Sequence, residues 1–133
     1  MLRRSILASA GFLAASGIAS AATLDGRWSY IAAECAAEIS DAILVIDTVA
    51  GTMRYWESEC TLTMLQPFGT FETAWRVQMG CTGEGEFWDR DAIFAIDVPA
   101  DGDGTPRLIE IDLTDGYVVT RAWCGEAAPA GAK

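Results

Sequence analysis

A chain of 133 residues, 51% of them apolar, has material for one small domain, and its 19 carboxylates against nine cations (net charge −10) argue against nucleic acid or an anionic membrane as partner. The absence of histidine removes the usual neutral-pH general base and the commonest transition-metal ligand; the absence of asparagine removes any N-glycosylation sequon. In chain order, residues 1–22 read as a cleaved export signal. Met1-Leu2-Arg3-Arg4 is a positive n-region, Ile6 to Ile18 a short apolar run, and Ala19-Ser20-Ala21-Ala22 an A-x-A cleavage site. Arg3-Arg4-Ser5-Ile6-Leu7 also fits a loose twin-arginine pattern, so export of a folded or an unfolded chain stays open. No cysteine stands at the cleavage site to take a lipid, and no later segment is long enough to span a bilayer, so no membrane insertion follows cleavage. The destination is the periplasm or the exterior of a bacterium, an oxidising compartment. Without Arg3 and Arg4, seven cations face 19 carboxylates, a net charge of −12 that favours a cationic partner or metal ions.

The remainder divides into a single β domain over 23–125 and a small Ala/Pro/Gly-rich disordered tail over 126–133. Apolar patterning predicts strands at 26–33, 42–47, 51–66 (bent near Cys60), 70–80, 84–98, 107–113 and 116–124, with an irregular or briefly helical stretch at 34–41. The clearest strand runs from Phe71 to Met79. Phe71, Trp75, Val77 and Met79 share one face, and Glu72, Arg76 and Gln78 the other. Pro67-Phe68-Gly69 supplies the turn before it, and Gly80, Gly83 and Gly85 the turn after. Ile43 to Gly51 resembles Leu108 to Gly116: each ends a strand in Ile-Asp and closes a turn with glycine, and each is followed by a strand running to a cysteine. The fold class that results is all-β, a small antiparallel barrel or sandwich of six to eight strands.

Cys35, Cys60, Cys81 and Cys124 are widely spaced with no C-x-x-C, which points to two structural disulfides rather than zinc or redox chemistry. A sequential meander puts Cys35 and Cys124 at one end and has Cys60 and Cys81 flank the Pro67–Gly69 turn. That favours 35–124 with 60–81, although a bend at Cys60 could bring it to Cys35 instead. A core of this size is marginal without such crosslinks.

Gly26-x-Trp28 on the first strand and Arg121 on the last resemble the calycins, the group of small barrels that includes lipocalins, avidins and a bacterial protease-inhibitor barrel. The resemblance implies barrel topology, with Trp28 capping the core and Arg121 stacked on it as a structural pair. Trp56 and Trp88 each follow an aromatic neighbour (Tyr55, Phe87), so one of each pair must point away from the core. With Glu57, Glu59, Glu84 and Glu86 they form a candidate binding surface, suited to a protein hot spot or a sugar platform. Asp101-Gly102-Asp103-Gly104-Thr105 alternates oxygen ligands as calcium loops do, but it has two carboxylates and no distal glutamate, and reads as a solvated turn. No cofactor or metal is assigned. Ser29, Ser40 and Ser58 lack a histidine to activate them, so no catalytic residue is assigned either.

The expected function is a non-enzymatic exported binding protein whose partner is a basic exported protein, such as a cationic hydrolase that it inhibits. The alternatives are a calycin-like carrier of a small apolar ligand and a small carboxylate-based hydrolase. Oligomeric state is left open.

Overall fold

The computed structural model describes residues 23–70 and 73–127; residues 1–22, which the sequence reads as an export signal, Phe71, Glu72 and residues 128–133 lie outside them. Eight antiparallel strands close into an up-and-down barrel in sequence order: β1 Gly26–Ser29, β2 Ile43–Asp47, β3 Thr52–Tyr55, β4 Ser58–Pro67, β5 Ala74–Gly83, β6 Glu86–Asp97, β7 Arg107–Asp112 and β8 Val118–Gly125. β1 pairs with β8 to close the ring. A five-residue 3₁₀ turn, Ala32–Ala36, is the only helical piece among the described residues.

Period-two patterning explains the inside. Leu44 and Ile46, Trp75, Val77 and Met79, and Ala92 and Phe94 point into one core with Trp28, Met53 and Leu108. Arg76 and Gln78 lie on the outer wall. The predicted bent strand at 51–66 is in fact two strands. Tyr55 and Ser58 are register partners, so the chain reverses at Trp56-Glu57. Neither residue is a usual turn former, which is why the sequence concealed this hairpin. A register shift between Leu62 and Met64 then sets Leu65 and Pro67 opposite Val77 and Trp75, where both remain exposed.

The resemblance between the β2–β3 and β7–β8 hairpins has a shared cause. The Asp47 carboxylate accepts the Ala50 N–H at 2.8 Å, and the Asp112 carboxylate accepts those of Thr114 and Asp115 at 2.8 and 2.6 Å. Gly51 and Gly116 close the two turns at φ of 72° and 77°.

Two disulfides staple the barrel. Cys35–Cys124 ties the 3₁₀ turn to β8, and Cys60–Cys81 joins register partners on β4 and β5. This is the pairing the meander favours, and it fits an oxidising compartment outside the cytosol.

Gly26 and Trp28 act at the floor. A Cβ on Gly26 would stand 2.2 Å from the Trp123 ring. That ring meets Trp28 edge-on with centroids 4.7 Å apart, and the Trp28 indole N–H donates to the Leu24 carbonyl at 2.9 Å. The expected stacking of Arg121 on Trp28 is therefore corrected. Trp123 takes the ring contact, and Arg121, at the next inward position on β8, lies over Tyr30 and Tyr55.

Candidate functional site

The lip of the barrel is built by two tight hairpins. Trp56-Glu57 joins β3 to β4, and Glu84-Gly85 joins β5 to β6. Glu57 and Glu84 have φ of 55° and 49°, and they are the only non-glycine residues in the left-handed region among the described residues. Such positions cost an L-residue roughly 1–2 kcal/mol, and glycine would avoid that cost. β5 and its neighbours pack closely enough here that Gly83 is obligatory: a Cβ on it would meet the Glu57 carbonyl oxygen at 2.6 Å and the Trp88 ring at 3.1 Å.

Between the hairpins lies a groove of about 400 Å³ lined by Trp56, Glu57, Ser58, Gly83, Glu84, Glu86 and Trp88. Five of the six residues singled out in the sequence thus meet at one place, although 32 positions separate Trp56 from Trp88. Trp56 is 47% exposed and Trp88 39%. Glu59 is not among them. It sits on the outer wall of β4, in register with Arg54 and Thr82. Phe87, next along β6, is 85% exposed on the outer face. No carboxylate of Glu57, Glu59, Glu84, Glu86 or Asp89 takes part in an ion pair among the described residues. Four of the six described arginines are committed elsewhere: Arg76 pairs with Asp91, Arg107 with Asp97, and Arg90 and Arg121 lie inside the barrel. Arg27 donates to the Ala37 carbonyl, and Arg54 lies exposed on the outer wall opposite Glu59, outside the groove.

Sequence reasoning missed what closes the mouth below the lip. Glu110 and Asp112 point inward from β7 and are fully buried. The Arg90 guanidinium donates to Glu110 Oε1 at 2.8 Å, to Asp112 Oδ2 at 2.9 Å through Nε, and to the Tyr117 hydroxyl at 2.5 Å. Arg121 donates to Glu110 Oε2 at 3.1 Å and to the Ala42 carbonyl at 3.2 Å. The Tyr55 hydroxyl donates to Glu110 Oε1 at 3.1 Å, and its ring lies 4.8 Å beneath the Arg90 guanidinium. Two cations and two anions cancel, and no buried side-chain polar atom among the described residues lacks a partner. The only signal was parity with Leu108, and it competed with Ile109 and Ile111, which alternate with the two acids and take the outer face.

Burial governs the titration here. It pushes the Tyr117 hydroxyl up to about 12, with the Glu110 charge adding to it. It also drives Tyr55 far above the ordinary tyrosine range, again with Glu110 contributing. Burial would raise Asp112 too, but the Asp115 and Thr114 N–H groups and Arg90 overcome it and hold the carboxyl below the usual aspartate value.

The network leaves no unpaired buried polar group to hold a guest in the mouth, since its members satisfy one another among the described residues. Below it Trp28, Met53, Met79, Phe94 and Leu108 fill the barrel. On the solvated loop, the Asp103 carboxylate accepts the Thr105 N–H at 2.8 Å. Comparison of the chain with protein-family models, with curated proteins and with solved structures returns no match.

Proposed function

We propose that this is a non-enzymatic protein, acting in the periplasm or outside the cell, that binds a basic exported protein through its acidic, tryptophan-bearing lip. A cationic hydrolase that it inhibits is the partner class with the best fit. The observation that carries this reading is the convergence of Trp56, Glu57, Glu84, Glu86 and Trp88 on one groove, free of any intramolecular cation. Half-exposed tryptophans supply contact area, and unpaired carboxylates steer a positive surface onto it. Two strained backbone positions at that groove support a role beyond folding, because strain collects where geometry serves a site.

The carrier reading is the weaker one, since the interior is occupied by the protein's own side chains. A carboxylate-based hydrolase is weaker still: Glu57, Glu84 and Glu86 are all solvent-exposed, so nothing in the groove buries one of them to set an acid apart from a base.

The test is inhibition and binding of a panel of basic exported hydrolases by the oxidised protein. Affinity for the right partner should fall at least about tenfold between low and high salt. Trp88→Ala and the Glu84→Gln/Glu86→Gln double variant should each weaken it by a similar factor. Binding that ignores both salt and these substitutions would refute the reading.

A further inference from the structure

β6 is the longest strand, and its first half has a neighbour on one side only. Pairing with β5 runs the whole way from Glu86 to Ala95, whereas pairing with β7 begins at Ala92. The direction of its backbone groups follows from the bonds beside the gap. The Ile96 N–H donates to the Thr73 carbonyl on the β5 side at 2.7 Å. Asp91 points the other way: its carbonyl accepts the Leu113 N–H at 2.8 Å, and its N–H donates to the Thr114 hydroxyl at 3.1 Å. Strand groups alternate, so the N–H and C=O of Phe87 and Asp89 also point away from β5. Beyond the 113–117 turn they meet no backbone partner among the described residues.

An open edge of this kind is a template for another strand. We infer that the partner presents an extended, lysine- or arginine-rich segment that adds to the barrel as a strand along Phe87–Asp89, with its alternate basic side chains on the outer face beside Asp89. Backbone bonds give this mode its affinity, and side-chain positions give it selectivity. A second copy of the chain fits the same edge badly, because it would bring the Asp89 edge and acidic lip of one copy against those of an equally acidic partner. The inference rests on the proposed binding role and adds the manner of contact.

The test uses the full oxidised chain and an alternating Lys–Thr peptide as probe. Asp89→Asn removes the charge and keeps the N–H. Asp89→Pro removes the same charge together with the outward N–H, and it leaves pairing with β5 intact because that N–H faces away from it. Asp89→Pro should bind the probe at least about tenfold more weakly than Asp89→Asn. In the unaltered protein, hydrogen exchange at the Phe87 and Asp89 amides should slow when the probe is added, a readout independent of how the proline variant folds. Equal affinity of a folded Asp89→Pro and Asp89→Asn, or unchanged exchange at both amides while salt-dependent binding persists, overturns strand addition and leaves the lip as binding surface. A probe-free dimer with those two amides already protected overturns it as well. Loss of salt-dependent binding altogether would instead sink the parent reading.

Discussion

Glu110 is the fully buried hub of the interior cluster: it accepts from Arg90, Arg121 and Tyr55 with no exposed surface. Removing one member of a buried charge cluster strands the others without solvent, at a cost of about 3–5 kcal/mol. Glu110→Gln should therefore lose roughly that much stability in urea denaturation. Asp97→Asn is the control, since its ion pair with Arg107 is half exposed on both sides. It should change stability by less than about 1 kcal/mol. A comparable loss from both would mean that the interior cluster is not special. The sequence could mark Trp28, Trp75, Val77 and Met79 as core because apolar residues at period two leave one reading. It could not mark Glu110 and Asp112, because charged residues on a strand default to the wet face, and only closure of the barrel turns that face inward.

Among the elements, the two lip hairpins explain both what was legible and what was not. Glu84-Gly85 sits in a glycine-rich turn and was readable. The Trp56-Glu57 reversal carries no glycine, proline, asparagine or aspartate, so the chain there looked like one bent strand. Candidate residues on both hairpins could be named from exposure and charge, but their meeting depends on a register that no local pattern encodes. That also explains why Glu59, two residues from Glu57, fell out of the site. Glu57→Gly should stabilise the protein by about 0.5–1 kcal/mol, since glycine takes a φ of 55° without strain. The same change should weaken partner binding, because it removes a lip carboxylate. Thermal unfolding and a binding titration on the one variant separate the two effects; a gain in both would show that Glu57 has no part in recognition.

For the whole molecule, acid and alkali act on the same interior cluster with opposite signs. Asp112 has a lowered folded value, so its contribution is present above the ordinary aspartate value of 3.8 and is lost as pH falls through the folded one. Tyr117 is raised from 10.0 to about 12, so its contribution is complete below pH 10.0 and is lost as pH climbs toward 12. Unfolding free energy should thus hold a plateau between these limits, falling below pH 3.8 and again above pH 10.0. Tyrosinate absorbance should appear together with loss of tertiary circular dichroism on the alkaline side. Full ionisation of every tyrosine at pH 10.0 with the barrel intact would contradict the burial that the cluster implies.

Every pairing in the ring joins consecutive strands except one, the seam between β1 and β8. Hairpins zip between near neighbours and nucleate quickly; a contact between the first and last strands must wait for a large loop to close. Cys35–Cys124 spans 89 residues and lies beside that seam. Its lasting influence is therefore on the speed of the search as much as on the depth of the native well. Denatured protein with its sulfurs still joined should refold markedly faster than the same chain reduced, as stopped-flow tryptophan fluorescence would report, because its two ends never drift apart.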